Sequence, residues 1–262
     1  MQTTGVHRDT KDQFYTSPLV AKECVAILRG HTSCPVWIEP SAGTGSFLEF
    51  APDAIAYDID PKHPKIQHAD FLSVVLPDGC VVFGNPPFGR QASVAKSFIR
   101  HAAVYASAIA FILPRSFMKP SMQTAFPGYF HMVHQHELPS NAFLVNGQPY
   151  DVPCVFQVWV RRDTVRTMSA SAVPTGFAFV KQSEPHDIVF RRVGANAGRC
   201  GLPNGQSRQS HYFVKLVDSS LTSRIIEKSF VHVFPSNTTG PRSLSKPEAT
   251  EFLHACITNA AA

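Results

Sequence analysis

Short apolar runs alternate with amphipathic stretches from about residue 35 to residue 162. Mostly apolar runs of five to eight residues predict buried strands, and an apolar stripe at helical spacing predicts a helix packed against them. This alternation is typical of βαβ units, so we predict an α/β domain around a mostly parallel sheet. The predicted strands are 36–40, 54–59, 80–84, 107–114, 131–138 and 154–160.

Two helices in the same region have their own local signals. Residues 17–28 place Ser17 at the N-cap and Pro18 at the first helical position, where its fixed φ suits a helix. Residues 93–105 have apolar side chains near one face, which predicts a crossover helix. The last two strands are joined by a loop rich in turn-forming residues, so we expect them to pair antiparallel at one edge of the sheet.

The chain after residue 162 predicts a separate module. Residues 163–175 are small and polar without apolar periodicity, which predicts a linker. Ser245 and Glu248 have the spacing of a capping box before a helix at 247–257. We therefore predict a main domain at 1–162, a linker at 163–175 and a small α+β module at 176–262. Its predicted strands are 176–180, 187–193, 211–217 and 229–234.

Composition favours a globular, intracellular protein. Of the 262 residues, 44% are hydrophobic and 16% are charged, which argues against a disordered chain. The first residues have no apolar core of a signal peptide, and no apolar run is long enough for a membrane span, so we expect a location in the cytoplasm or nucleus. The six cysteines have no CxxC pair, which predicts reduced thiols.

The positive charge is concentrated near the C-terminus. The net charge is +5, and residues 163–262 hold 11 basic and 7 acidic side chains. A basic module is compatible with a polyanionic partner or with an ordinary charged surface. The residues that could contact a polyanion there are Arg191, Arg192, Arg199, Arg208 and Lys215, with Tyr212 and Phe213 as stacking candidates.

A glycine-rich turn follows the first predicted strand of the sheet. Gly43 and Gly45 allow the backbone to approach a bound ligand closely. The dinucleotide fingerprint would have a third glycine where this chain has Leu48, and Glu39 would repel a pyrophosphate. The turn therefore favours a ligand that carries positive charge.

Acidic residues also follow the next strands. Asp58 occupies the position from which a carboxylate can accept hydrogen bonds from a ribose diol, with Asp60 as its neighbour. Asp70 could accept from an exocyclic amine, and Phe71 could pack on a purine. Each acidic residue alone is also compatible with a helix cap, but their succession beside the glycine turn favours a binding site.

These motifs together resemble a known enzyme family. The order FYTSP, EPSAGTGSF, YDID, ADF and GNPPF is similar to the S-adenosylmethionine-dependent N6-adenine methyltransferases over about residues 14–160. The resemblance implies the Rossmann-like, seven-stranded sheet of class I methyltransferases, with an antiparallel last hairpin. It also implies the cofactor S-adenosyl-L-methionine, held by Phe14, Tyr15, Thr16, Pro18, Glu39, Pro40, Ala42, Gly43, Gly45, Asp58, Asp70, Phe71 and Asn85.

The resemblance assigns catalysis to the tetrad Asn85, Pro86, Pro87 and Phe88. The Asn85 side-chain oxygen and the Pro86 carbonyl would accept hydrogen bonds from the adenine amine, and Phe88 would stack on the base. The prolines stiffen the turn because their φ is fixed and they lack an N–H group. The substrate would be DNA or RNA. Arg90 and Lys96, just past the tetrad, are predicted to contact its phosphates, and Arg191 and Arg192 are predicted to take part in recognising it.

Other interpretations of the sequence stay open. A similar tetrad occurs in enzymes that methylate glutamine in proteins, and the fold could also serve a non-catalytic binding subunit. No metal site is predicted, because His134 and His136 share one face of their strand while His131 lies on the other. The sequence leaves the oligomeric state and any partner subunit undetermined.

Overall fold

The computed structural model describes residues 14–167, 173–235, 238 and 241–258. The chain divides into two compact units, Met1–Met168 and Ser169–Ala262. Residues 163–167 of the predicted linker belong to the first unit, where the Arg166 guanidinium donates to the carbonyls of Gln123, Phe126 and Pro127. Residues 168–172 of that predicted linker lie outside the described residues.

The first unit contains ten strands and three helices in its described part. They are β1 (Tyr15–Thr16), α1 (Pro18–Arg29), β2 (Trp37–Glu39), β3 (Ile55–Asp58), β4 (Gln67–His68), β5 (Val81–Gly84), α2 (Ser93–Tyr105), β6 (Ala108–Pro114), α3 (Pro120–Gln123), β7 (Phe130–Glu137), β8 (Phe143–Val145), β9 (Gln148–Tyr150) and β10 (Cys154–Arg161).

Seven of these strands form one mixed sheet. Their order is β4-β3-β2-β5-β6-β10-β7, in which β10 runs antiparallel to both of its neighbours. The pairs from β4 to β6 are parallel. This arrangement confirms the predicted α/β fold, including the antiparallel pair formed by the last two predicted strands.

The central strands are buried because both faces of the sheet are covered. All seven residues of β6 are buried, as expected for a strand between two helical layers. Phe111 and Leu113 pack with α2 residues on one face, while Ala110 and Ile112 pack with α1 residues on the other. Helix α1 begins at Pro18 as predicted, although the Ser17 side chain makes no capping hydrogen bond.

A three-stranded sheet of order β1-β8-β9 was not predicted. It joins Tyr15–Thr16 to a hairpin in the loop before β10. The hairpin turns at Asn146 and Gly147, both with positive φ (50° and 74°). An Asn-Gly pair is a strong signal for this kind of turn, so the hairpin could have been read from the sequence.

The second unit is an α+β module, as predicted. It contains β11 (Phe177–Val180), β12 (Ile188–Arg191), β13 (Cys200–Gly201), β14 (His211–Leu216), α4 (Thr222–Val231) and α5 (Lys246–Thr258). The strands form an antiparallel sheet of order β11-β14-β12-β13. The predicted capping box is present, since the Ser245 N–H donates to Glu248 Oε2 over 2.8 Å.

The predicted strand at 229–234 is wrong. Residues 229–231 are the last turn of α4, and the chain has no regular structure at 232–235. Helical spacing buries Ile225 and Ser229, whereas Phe230 and Val231 are exposed. The run 229–234 therefore has the apolar composition of a strand, but its residues form the end of a helix and an irregular segment. Among the described residues, no helix has the length and apolar character needed to span a membrane.

Candidate active site

The carboxyl ends of the parallel strands surround a cavity of about 460 Å³ in the first unit. This position is where ligands bind in open α/β sheets, and the volume suits a small molecule. Most of the residues that the sequence predicts for the site line this cavity. They are Phe14, Tyr15, Thr16, Glu39, Pro40, Ala42, Gly43, Asp58, Asp70, Phe71, Asn85, Pro86, Pro87 and Phe88.

Four other predicted residues of this unit do not line the cavity: Pro18, Gly45, Arg90 and Lys96. Pro18 is the first residue of α1, and Gly45 lies in the glycine turn with a φ of 85°. Arg90 is exposed in the turn after the tetrad, and Lys96 lies on the first turns of α2.

The sequence interpretation missed several residues of the cavity wall. These include hydroxyl groups on the glycine turn and apolar side chains from three other segments. Their position in the sequence could have identified them, because each lies within a few residues of a predicted site residue or on the buried face of α2. They are Ser41, Thr44, Ser46, Phe47, Ile59, Asp60, Leu72, Gly89, Val94 and Phe98.

The glycine turn is held against the end of β3. The Gly43 N–H donates to Asp58 Oδ2 over 2.8 Å, and Gly43 has a φ of 51°. A Cβ atom at this position would lie only 2.9 Å from Tyr15 Cε1. Glycine is therefore required here both by the left-handed backbone and by the close approach of the tyrosine ring.

Glu39 is a buried carboxylate at the bottom of the cavity. It is 1% exposed, and its Oε2 atom has no hydrogen-bond partner among the described residues. Burial, and then the negative charge of Asp58, raises the pKa of Glu39 to about 8. An unsatisfied acceptor in this position favours a ligand that brings a cationic hydrogen-bond donor.

Asp58 already accepts two backbone hydrogen bonds. Its Oδ2 accepts from Gly43, and its Oδ1 accepts from the Asp60 N–H over 2.7 Å. Each carboxylate oxygen can accept a second hydrogen bond, so Asp58 can still bind a diol while its orientation is fixed by the backbone. The neighbouring Asp60 forms an ion pair with Lys62 over 2.7 Å.

Asp70 and Phe71 have structural contacts in addition to their place in the cavity wall. Asp70 is the N-cap of the 3₁₀ turn at 71–73, where its side chain accepts from the Leu72 N–H. The Phe71 ring is 1% exposed and lies 5.0 Å from the Phe98 ring. Little of this buried ring is therefore available to a ligand.

The tetrad follows β5 and is anchored by two distant segments. Asn85 Nδ2 donates to the carbonyl of Phe14 over 2.9 Å, and the Ser41 hydroxyl donates to the Asn85 carbonyl over 3.0 Å. Because the Phe14 carbonyl can only accept, its contact fixes which end of the Asn85 side-chain amide faces it. The other end, Asn85 Oδ1, is buried without a partner among the described residues.

Aromatic rings from the three-stranded sheet stand beside the tetrad. The Phe14 ring lies 6.5 Å from the Phe88 ring and stacks on Tyr150 at 5.5 Å. Phe143 lies 6.1 Å from Phe14. Phe88 itself is 8% exposed, so most of the tetrad phenylalanine is buried.

The three histidines of β7, for which no metal site was predicted, lie outside the cavity. His134 Nε2 and His136 Nδ1 are 2.9 Å apart on β7, while the His131 Nε2 lies 2.7 Å from the Thr164 carbonyl. No group of three potential ligand side chains in the described part of the chain has the arrangement needed to hold a metal ion.

Several residues of the second unit that were predicted to contact nucleic acid instead contact other groups of the protein. Arg191 Nε donates to the Val193 carbonyl, and the Arg192 guanidinium lies 5.4 Å from the Tyr212 ring. Arg199 donates to the Ser229 carbonyl. Lys215 forms an ion pair with Asp187 over 3.0 Å.

No family model and no curated protein matches the chain. Solved structures show weak likeness. A candidate RNA methyltransferase of Pyrococcus horikoshii is 17% identical with a TM-score of 0.45, over 57% of this chain and 86% of that one. The M. jannaschii tRNA m1G37 methyltransferase is 17% identical with a TM-score of 0.42, over 58% of this chain and 52% of that one.

A third likeness is to the magnesium protoporphyrin IX methyltransferase of Synechocystis PCC 6803, solved with bound SAM. It is 12% identical with a TM-score of 0.41, over 55% of this chain and 79% of that one. At such identities and TM-scores these likenesses carry no functional argument. The fold assignment rests on the order and direction of the strands.

Proposed function

We propose that the chain is an S-adenosylmethionine-dependent methyltransferase that acts on the exocyclic N6 of adenine in a nucleic acid. The observation that carries this proposal is Asn85 Oδ1, an acceptor in the cavity wall that has no partner among the described residues and whose amide is fixed by the Phe14 carbonyl. A buried acceptor without a donor is costly to a folded protein, which is a reason to expect a ligand N–H group there.

The residues of the cavity fit this cofactor. Glu39 offers a buried carboxyl group whose ionised form a cationic methionine portion would favour, and Asp58 offers oriented acceptors to the ribose diol. Gly43 lines the same cavity without a side chain, and a Cβ there would collide with the Tyr15 ring. When bound, S-adenosylmethionine would supply an electrophilic methyl group.

The tetrad would orient the methyl acceptor. The adenine amine is a poor nucleophile, because its lone pair is delocalised into the ring. Asn85 Oδ1 would accept from one N–H, and the Pro86 carbonyl would accept from the other, which disfavours the planar amine. Phe88 would stack on the base, a contact worth about 1–3 kcal/mol in single-strand binding proteins.

The proton lost by the amine would pass to water. The lining of the cavity contains no histidine, lysine or arginine in the described part of the chain, so no side chain of these types stands ready to take it. The protein would contribute mainly by holding the two reactants in line, which can supply a large part of a rate acceleration.

The test is a transfer assay with labelled cofactor. The purified chain is incubated with separate pools of duplex DNA, single-stranded DNA, structured RNA, capped RNA and protein, and the labelled product is identified by mass spectrometry. We expect N6-methyladenine in one nucleic-acid pool. Label on glutamine in the protein pool would replace the proposal, and absence of cofactor binding by calorimetry would indicate a non-catalytic subunit.

A further inference from the structure

A second cavity lies wholly within the C-terminal unit. It has a volume of about 430 Å³, which is large enough for a small planar ligand. The wall consists of the end of β11, the turn at 181–183, Arg208 in the loop before β14, the start of β14 and the first residue of α5. This cavity shares no residue with the candidate active site.

The charged side chains of this cavity are all basic. Lys181, Arg208 and Lys246 line it, together with His211, and no aspartate or glutamate lies among the lining residues. All three cations are exposed, and within the described part of the chain none of them forms an ion pair. The nearby Glu184 instead accepts a hydrogen bond from the Lys181 backbone N–H. The cavity therefore favours an anion.

Aromatic rings form a second feature of the same wall. Phe179 and Tyr212 meet edge to face with their ring centroids 5.5 Å apart, and both are half-buried. Lys246 Nζ lies 5.1 Å from the Phe179 ring centroid. Cations beside accessible rings are the combination that binds nucleotides, because phosphate pairs with the cations and the base stacks on a ring.

The cavity is built into the structure of the unit. Gln182 Nε2 donates to the Gln206 carbonyl over 2.8 Å, which joins the 181–183 turn to the loop that carries Arg208. The Tyr212 hydroxyl donates to the Leu244 carbonyl over 3.1 Å, which fixes this ring near the start of α5. These hydrogen bonds hold the cationic and aromatic parts of the wall together.

We propose that this cavity binds one nucleotide of a single-stranded nucleic acid, with its phosphate between Arg208 and Lys246 and its base against Phe179. The proposal deepens the proposed function, on which it rests for the idea that the strand is the substrate. The nucleotide held here is not the methylated adenine. Recognition of a flanking nucleotide would let the basic unit select its strand.

The test uses the full chain and an adenine-free probe. Fluorescence anisotropy measures binding of a labelled oligouridylate or oligothymidylate of about 12 nucleotides, a length within the site sizes of single-strand binding proteins. Because the probe lacks adenine, its binding does not depend on the proposed acceptor site. Titrations at roughly 50 to 200 mM salt give the number of phosphate contacts.

The double variant Arg208→Gln with Lys246→Gln should weaken probe binding by about tenfold or more. The slope of log Kd against log salt should fall by about 0.7, since one phosphate is held between the two cations and each neutralised phosphate of a single strand contributes about 0.7. Phe179→Leu should weaken binding by about fivefold or more through lost stacking. Lys228→Gln removes a charge from α4 outside the cavity and should leave Kd within about twofold.

Wild-type affinity in the double variant, or equal weakening in Lys228→Gln, would overturn the proposed site. Equal competition by inorganic polyphosphate at matched charge would overturn the nucleotide assignment. The Asn85→Ala variant separates the two proposals, because it should lose methyl transfer and keep probe binding. If no pool becomes methylated in the transfer assay while the probe still binds, only the proposed function is contradicted.

Discussion

At the scale of single residues, the candidate site combines two acceptors that the described protein leaves unpaired. Glu39 Oε2 and Asn85 Oδ1 are both buried without partners in the described part of the chain, and both residues line the same cavity. Burial of such atoms costs free energy unless a ligand supplies donors. Their chemistry differs, because a carboxylate suits a cationic donor and an amide oxygen suits a neutral N–H group.

The first prediction separates these two acceptors. Asn85→Ala should lower kcat for methyl transfer by about 10²- to 10³-fold, the usual cost of removing one pre-organised hydrogen-bonding group. Affinity for the cofactor, measured by calorimetry, should stay within about threefold, since the change removes no proposed methionine or ribose contact. Asp58→Ala is the matched comparison, and its main effect should be a weaker affinity for the cofactor.

The outcome that contradicts this assignment is specific. Turnover in Asn85→Ala above about a tenth of the wild-type value would show that the amide has no catalytic role, because loss of a positioned hydrogen-bonding group lowers the rate by more than tenfold. Unchanged cofactor affinity in Asp58→Ala would remove the ribose contact. Thermal unfolding of each variant checks that the loop between β5 and α2 is still folded.

The second prediction concerns the ionisation of Glu39. Its pKa in the folded protein is about 8, against 4.5 for an ordinary glutamate, because burial and Asp58 disfavour the charged form. The folded state therefore keeps a proton that the unfolded chain loses between these values. The contribution to stability is present below pH 4.5 and is lost as the pH rises towards 8.

Glu39→Gln should remove this dependence. Relative to wild type, its free energy of unfolding should rise with pH by up to about 1.4 kcal/mol per pH unit through that window. Urea unfolding at several pH values measures the difference. Glu49→Gln, at an exposed glutamate, is the control and should show no such trend. A constant difference between Glu39→Gln and wild type would contradict the raised pKa.

At the scale of elements, the site depends on how loops leave the strands. The turn between the tetrad and α2 contains Gly89, Gln91 and Ala92, all with positive φ. Glycine suits such a backbone, but the two other residues have a Cβ that makes it costly. A Cβ at Gly89 would also lie 2.4 Å from the Val94 side chain, so the turn is tightly packed against the helix it precedes.

The third prediction tests this strain. Gln91 is exposed and has a φ of 53°, so Gln91→Gly should raise the free energy of unfolding by about 0.5–1 kcal/mol. Gln91→Ala is the matched control, because alanine keeps the Cβ and should bring no gain. Chemical unfolding of the three proteins measures the effect, and equal stability of the glycine and alanine variants would exclude strain at this residue.

At the scale of the whole molecule, each unit has its own hydrophobic core. The first unit packs residues on both faces of its seven-stranded sheet, and the second packs one face of its sheet under α4 and α5. Cysteines belong to these cores as small apolar side chains. Five of the six are buried and Cys34 is half-buried, and none forms a disulfide.

The fourth prediction follows from this burial. Removal from water raises the pKa of Cys80 to about 11 and that of Cys200 to about 12, which suppresses the reactive thiolate. A thiol reagent at neutral pH should therefore label about one cysteine in the native chain, Cys34, and all six after denaturation without reductant. Rapid labelling of two or more native thiols would contradict the packing of the cores.

Much of the first unit can be predicted because its signals are local. An uninterrupted hydrophobic run such as 107–114 indicates a strand that is buried on both faces. The apolar spacing in Ser93–Tyr105 indicates a helix that is buried on one face. The same local reading failed at 229–234, because a short apolar run does not say whether its period is that of a strand or of the last turn of a helix.

The sequence by itself determined the order of strands along the chain and which loops carry glycines, carboxylates and the Asn-Pro-Pro-Phe tetrad. Only the tertiary structure decided that the Phe14 carbonyl meets Asn85, 71 positions away, and leaves Oδ1 without a partner among the residues that the structure describes. It also decided that Arg208 and Lys246 share a cavity while Lys215 is paired with Asp187. Local patterns encode which side of an element is buried, whereas these contacts depend on how distant loops close over the finished sheets.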